Sequence, residues 1–339
     1  MLIIIVAGFL GYMIITPYYN FLTKTLQISP FSLLISDSNL ETVDNKINIL
    51  VMGIGGGSHD GPNLTDSMMI IHYDFNTNTI STLGIPRDIW SDTLKYKINT
   101  AYAIGEAKKK GGGLKLAKAE LGAVAGVPIE YGAVISFNTF KELIDKVGGI
   151  DVNVERAFSD HEYPIDGKEN DTCGGDPDYK CRYETISFQK GTQHMDGTIA
   201  LKYTRSRHAE GIEGSDFARG RRQQLVIAGL KEKLTAILKA HDLEQLSDIY
   251  AIVNKNIDRD ITNQQAAVIA KNIVMKKNFK QVNVAFPRDY FVVPTNDKYD
   301  GQYVLIPPDE DYSDFHSYIN CKFTKGDLSE CDNILPKSE

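Results

Sequence analysis

Positive charge is in short supply in this chain. Of 339 residues, 37 are Lys or Arg and 44 are Asp or Glu, a formal net charge of −7. A general nucleic-acid binder shows a broad basic face, so nucleic acid is not the expected partner. Several chemistries are missing as well. No G-x-x-x-x-G-K-[ST] run is present, which removes a P-loop nucleotide site. No G-x-S-x-G run is present either, so acyl transfer has little support. The seven histidines are scattered, with neither H-x3-H nor H-E-x-x-H spacing, and offer no metal set. There is no internal repeat and no low-complexity tract. What remains is 42% hydrophobic and 24% charged, ordinary for a folded body long enough for one large domain or two smaller ones.

Charge is also absent from the start of the chain, where the first charged side chain is Lys24. Roughly 20 apolar residues cross a bilayer as a helix, so residues 1–23 read as a transmembrane anchor. Pro17 falls near its interface, with Tyr18, Tyr19 and Phe21 suited to the headgroup zone. A cleaved signal peptide would show a basic start and an A-x-A-like site, and neither is visible. Residues 24–45 read as a polar spacer. The four cysteines stand as two local pairs, Cys173 with Cys181 and Cys321 with Cys331. In an anchored protein they read as two disulfides in an oxidising compartment. A zinc site is the rival reading, but neither pair has C-x2-C spacing. Four free thiols is the third, if the body is cytoplasmic.

From Lys46 the pattern alternates between strands and helices. Apolar runs at 47–54, 67–74 and 79–85, divided by a glycine-rich loop and an Asn-Thr-Asn turn, predict a hairpin or meander. Residues 113–123 read as a helix, 133–137 as a strand, Asn138 as the cap of a helix through Lys146 and 150–154 as a strand. Residues 156–190 are polar and cysteine-bearing, and read as a surface insertion. Beyond Leu225, the residues Ile227, Leu230, Leu234, Ile237 and Leu238 share one helical face. Two further apolar runs within 280–306 add candidate strands. The alternation predicts α/β layering, with helices packed on a mixed sheet.

Arginine is the rarer cation, yet five of the ten arginines fall within residues 203–224, YTRSRHAEGIEGSDFARGRRQQ, which holds no lysine. Its planar fork binds phosphate oxygens two at a time and stays charged at any relevant pH. Ser215 or Asp216 can cap a helix starting near Phe217. Arg219 and Arg222 then share a face near its N-terminus, where backbone N–H groups favour anions. Arg205 and Arg207, two apart on an extended strand, would face one side. The competing reading is a solvated face with ion pairs to Glu210, Glu213 and Asp216. Arg221 has no assigned role and is expected to face solvent.

Two further constellations carry charge. Asp66 ends the glycine-rich loop 55–66 and opens a strand, and Asp60 lies in the same loop. A carboxylate beside a diphosphate commonly holds Mg²⁺, although Asp is also common in plain turns. The run Pro86-Arg87-Asp88-Ile89-Trp90 closes a strand, a usual ligand position in α/β folds. A merely structural Arg–Asp pair is the alternative there. Lys97 in KINTAY is a further cation.

Taken together, NILVMGIGG, NLTDSMMIIHYD, LGIPRDIW, KINTAY, VGGIDVNV and MDGTIALKYTRSRH…SDFARGRRQQ resemble the LytR–CpsA–Psr family of bacterial cell-wall ligases, in the family's order over roughly 47–230. The resemblance implies a three-layer α/β/α fold with a central mixed β-sheet, behind an N-terminal transmembrane helix. Its catalytic core would fill 46–240, with 241–339 completing the same domain. It implies a single-pass cell-membrane protein with its catalytic domain outside the cytoplasm. The activity implied is transfer of a glycopolymer phosphate from a polyprenyl-pyrophosphate carrier to a peptidoglycan hydroxyl. Its partners would be that lipid-linked glycopolymer, peptidoglycan and the lipid bilayer. Carried over by motif, Asp66 is a ligand for Mg²⁺ (or Mn²⁺), with Asp60 a weak second. Arg87, Arg205, Arg207 and Arg219 contact phosphate, and Arg222 and Gln223 match a trailing substrate-binding R-Q-Q. Lys97, on the residues alone a cation that could equally be a solvated surface charge, is the candidate to supply the phosphate contact of the family arginine that Leu64 replaces, and Asp88 is a weak candidate base. Two departures stand out: Gly53-Ile54-Gly55 replaces the family's G-x-D, and Leu64 replaces an arginine two residues before Asp66. A polyprenyl or nucleotide pyrophosphatase, and a non-catalytic membrane-tethered wall-polymer binding or regulatory protein, are the alternatives.

Overall fold

The computed structural model describes residues 12–13, 15–35, 40–57, 61–275, 280–284, 286–295, 298–325 and 329–336. Most of the expected anchor lies outside them. No helix among the described residues is long and apolar enough to cross a membrane.

After a short helix α1 (Pro30–Ile35), β1 (Lys46–Ile54) pairs antiparallel with β2 (Thr65–Asp74), and β2 with β3 (Thr79–Gly84). This is the meander the three apolar runs predict. A small hairpin, β4 (Trp90–Ser91) with β5 (Tyr96–Lys97), leads to helices α2 (Ala101–Lys108) and α3 (Gly113–Ala125). Strand β6 (Tyr131–Ser136) then enters parallel to β1, and α4 (Phe137–Lys146) leaves it. The α4 cap is Ser136, whose hydroxyl accepts from the Thr139 N–H, two residues ahead of the expected Asn138.

Next come β7 (Ile150–Val154), β8 (Phe158–Pro164), β9 (Tyr183–Phe188) and β10 (Gly191–Met195). Strands β7 and β10 pair with each other, and β8 with β9. The polar stretch 156–190 is therefore a hairpin and not a loose surface insertion, with Phe158, Tyr163, Ile186 and Phe188 buried in a cluster shared with Ile144, Ile150, Tyr203 and Val226. Helices α5 (Gly197–Arg205), α6 (Asp216–Lys239) and α7 (Leu243–Asn256) follow. The chain closes with β11 (Asp258–Arg259), α8 (Asn263–Met275), β12 (Lys280–Val284), α9 (Ser313–Lys325) and α10 (Ser329–Asp332).

Six strands form the central sheet in the order β11-β6-β1-β2-β3-β12. The β1·β6 and β3·β12 pairs are parallel and the others antiparallel, so the sheet is mixed. Both edge strands come from beyond residue 240. Period-two alternation divides the strand side chains between two faces. Leu50, Met52, Met68, Ile70 and Leu83 pack with Leu121 of α3 and Phe315 and Ile319 of α9. Ile47 and Tyr73 point the other way, toward Ile269 of α8. Helices thus cover both faces of the sheet.

Two sequence readings change. Residues 199–204 are helical, because Asp196 caps a helix by accepting from the Ile199 N–H and Gly197 lets α5 approach the Lys141 backbone. Arg205 therefore ends a helix and does not sit on a strand. The run YVLIP forms only isolated bridges, Ile89 with Leu305 and Val292 with Ile306, and Pro307 and Pro308 close it off. The cysteines pair as Cys173–Cys181 and Cys321–Cys331.

Candidate active site

Strands β1 and β6 run parallel and end side by side, Ile54 opposite Ser136. Crevices beyond the carboxyl ends of such strands are the usual ligand positions in α/β sheets. Three glycines follow β1 here. Gly56 has φ +68, and a Cβ on it would stand 3.0 Å from the Ser136 Cβ, so the turn closes tightly on the start of α4. Residues 58–60, and with them Asp60, lie outside the described residues.

Asp66 enters on the second residue of β2. The β1·β2 register shifts between Gly53 and Ile54, an irregularity of the kind that re-aims a side chain at a strand end. The preceding Thr65 is pinned, its hydroxyl donating to the Asn99 carbonyl at 3.1 Å. Asp66 accepts from Arg87 at 2.7 Å. Arg87 Nε lies 3.8 Å from Asp88, which is buried. Asp88 also takes Lys97 Nζ at 2.7 Å, with Arg207 at 3.9 Å. The structure so joins Asp66, Arg87, Asp88, Lys97 and Arg207 in one chain of charges, although they come from three separate stretches of sequence.

Arg219 approaches from the opposite wall. Ser215 caps α6 by accepting from the Ala218 N–H, as expected, and Arg219 stands in the first turn. Between α6 and the face formed by β2, β3 and β12 lies a cleft of about 420 Å³. Asp66, Arg219 and Gln223 line it together with the apolar Met69, Leu225 and Phe286. A charged end and an apolar flank thus share one space.

Arg205 and Arg207 do not project from a common strand. Arg205 lies with its guanidinium 4.3 Å from the Phe137 ring centroid and 3.2 Å from Asp166. Arg207 lies beyond the helix end, on the Asp88 side. Its backbone is held by Asp160, a fully buried carboxylate that accepts from the Ser206 hydroxyl at 2.7 Å and from the Arg207 and His208 N–H groups at 3.1 Å each. Burial alone would raise the Asp160 carboxyl. The bonds from Ser206, His208, Glu162 and Arg207 together outweigh it and hold the group below the usual carboxylate range.

The geometry does not support Arg222 as a substrate contact. It is 2% exposed, and its donors go to the Tyr203 carbonyl at 2.9 Å, the Ser206 carbonyl at 2.6 Å and the Glu213 carbonyl at 2.8 Å. It ties α6 to the segment bearing Arg205 and Arg207. Arg221 is exposed and pairs with Glu155 at the cleft edge. Asp160, Asp166 and the Phe137 platform were not foreseen. No local pattern marks them, because their partners lie tens of residues away.

A metal has one evident carboxylate to bind. Among the described residues, the only group at metal-ligand spacing is Asp171 with Cys173 and Cys181, and those cysteines form a disulfide. Mg²⁺ takes one or two carboxylates plus phosphate oxygens. Asp66 at the charged end of the cleft fits the one-carboxylate case.

The LytR_cpsA_psr family model matches residues 23–318. Regulatory protein MsrR of Staphylococcus aureus (strain Mu50 / ATCC 700699) is 31% identical over 259 residues, 75% of this chain and 68% of that protein. The polyisoprenyl-teichoic acid–peptidoglycan teichoic acid transferase TagU of Bacillus cereus (strain ZK / E33L) is 28% identical over 246 residues, 70% of this chain and 69% of that protein. Among solved structures, B. subtilis TagV superposes with TM-score 0.55 at 22% identity, covering 84% of this chain and 99% of that one. TagT bound to LIIa-WTA superposes with TM-score 0.54 at 19% identity, covering 88% and 96%. At those identities the superpositions speak for the fold alone, which is the mixed α/β fold described above.

Proposed function

The chain belongs to the LytR_cpsA_psr family, and on that premise we propose that it is a phosphotransferase of cell-wall assembly. It moves a glycopolymer phosphate from a polyprenyl-pyrophosphate carrier to a peptidoglycan hydroxyl, at the outer face of the membrane that residues 1–23 anchor it to. The observation that carries the reading is the cleft where Asp66, Arg219 and Gln223 meet an apolar flank. A lipid diphosphate has the same two parts, a charged head and an apolar tail. The teichoic acid transfer to peptidoglycan for which TagU is named supports the same reading.

The reaction breaks the bond between the polymer phosphoryl group and the lipid phosphate, which leaves, and forms a phosphate ester to the acceptor oxygen, whose proton passes to the departing lipid phosphate or to solvent. Its transition state spreads charge over phosphoryl oxygens. Arg219, with the N-terminus of α6 behind it, and Arg87 and Arg207, joined to Asp66 through the chain of charges, neutralise that charge. Asp88, the weak candidate base, keeps Arg87, Lys97 and Arg207 together, and that positioning is the role its ion pairs support. Asp66 would hold Mg²⁺ (or Mn²⁺), which supplies further charge neutralisation on the diphosphate. The apolar flank excludes water and seats part of the lipid.

Arg219→Ala and Arg207→Ala in the full chain are expected to lower transfer to peptidoglycan by roughly 10²–10³-fold, the loss of one well-placed donor. Full transfer by either variant removes that arginine from the site. EDTA is expected to stop transfer and added Mg²⁺ to restore it; unchanged transfer in EDTA dismisses the metal. Release of lipid phosphate without acceptor, at the rate seen with acceptor, identifies a pyrophosphatase instead. A regulatory role, for which MsrR is named, gains ground if an Arg207→Ala strain keeps every cellular function of the protein.

A further inference from the structure

The connection between β8 and β9 reaches back into the arginine cluster. Asp166, on that connection, places a carboxylate oxygen 3.2 Å from Arg205. Ring faces bound much of the rest of that guanidinium, Phe137 at 4.3 Å and Tyr163 at 5.8 Å, and the Tyr163 side chain is also hydrogen-bonded to Arg205. A planar cation walled by rings can be approached from few directions, and a carboxylate stands in one of them.

The two partners differ in access: the Arg205 side chain is 15% exposed and that of Asp166 59%. The Asp166 end of the pair lies in solvent, where its charge is well hydrated when released, so this contact can exchange for another anion. Its geometry is nevertheless braced. The Ile165 N–H donates to the Arg182 carbonyl at 2.8 Å, Arg182 Nε donates to the Asp171 carbonyl at 2.7 Å, and the Cys173–Cys181 disulfide closes the loop beyond. The carboxylate is presented to Arg205 by a fixed tip.

We propose that Asp166 occupies Arg205 until phosphate oxygens displace it, and so sets how tightly the site holds a phosphate-bearing ligand. The proposal rests on the reading of Arg205 as a phosphate ligand. A ligand with one phosphoryl group exchanges one carboxylate for one phosphate at Arg205, which is close to balanced. A diphosphate brings a second phosphoryl group, and its contacts elsewhere in the cluster tip the exchange. After transfer the lipid keeps one phosphate, Asp166 returns to Arg205, and product release is favoured.

The test uses the full chain in detergent micelles at fixed ionic strength, with inorganic pyrophosphate and inorganic phosphate as calorimetric probes. Asp166→Asn keeps the shape and removes the charge. It is expected to tighten phosphate and pyrophosphate binding about threefold to fivefold each, because both ligands displace the same carboxylate. Asp178→Asn, an exposed acid on the same connection paired with Lys180, is expected to leave both affinities alone. Arg205→Ala is expected to weaken both ligands. If Arg205→Ala weakens binding while Asp166→Asn leaves both affinities as they were, or weakens them, the competing role is overturned and the phosphate site stands. If Arg205→Ala leaves both affinities unchanged, Arg205 is not a phosphate ligand and both readings fall.

Discussion

His72 and Asp160 are two buried titratable side chains with opposite logic. His72 is 4% exposed and stacks on Phe323, with Nδ1 2.8 Å from Asn48 Oδ1. Burial, with Lys46 adding to it and Asp74 opposing, pushes its pKa from 6.5 down to about 4. A lowered histidine is neutral in the folded protein while the unfolded chain takes up a proton. Stability therefore falls as pH drops from about 6.5 to about 4, by roughly 3 kcal/mol over that window. Urea unfolding at pH 7 and pH 4, compared with His72→Gln, isolates this contribution; an equal pH dependence in both proteins contradicts it. Asp160 is held low, so its contribution is present above the unfolded carboxylate range and is lost as pH falls through its folded value. Asp160→Ala leaves the Ser206 hydroxyl and the Arg207 and His208 N–H groups without their acceptor. It is expected to lower transfer through Arg207 as well as stability. Asp160→Asn, which keeps an acceptor oxygen, is expected to recover part of both.

The elements differ in how plainly the sequence announces them. The β1–β3 meander was legible because its apolar runs are bounded by glycine, Asn and Pro, and the start of α6 because Ser215 is a capping residue. Helix α5 is poorly announced, although Asp196-Gly197 is a start signal, because Ile199, Leu201 and Tyr203 alternate with smaller or polar residues at the period of a strand. Only tertiary packing shows Arg222 to be a tie, since its three carbonyl partners belong to the segment before it. Asp66, Arg87, Lys97 and Arg219 were legible as residues, but not the order in which charges alternate between them. At this scale the second disulfide is the informative joint. Cys321 on α9 and buried Cys331 on α10 close a loop of 10 in sequence separation. Replacing both by Ser is expected to cost about 2–3 kcal/mol by the chain-entropy argument. Denaturant midpoints under oxidising conditions measure it. A midpoint unchanged from wild type means that α10 contributes nothing to the packing of α9.

Across the whole molecule, one sheet serves two sides. One face packs against α3 and α9 and holds the largest core cluster. The other leaves room beneath α6 for the cleft, and its outer strand β12 comes from the region past residue 240. The charged end of the cleft lies where β2 begins and α6 starts, so anion binding is built from element termini as much as from arginines. The central claim is that this cleft takes a lipid-linked diphosphate. A crystal structure of the chain with a short-chain polyprenyl pyrophosphate tests it most directly. The account predicts diphosphate oxygens in contact with Arg219 and Arg207 beside Asp66, the first isoprenoid units against Met69, Leu225 and Phe286, and Arg222 still on its carbonyls. A diphosphate bound elsewhere, with the space between α6 and β2 empty, would contradict it.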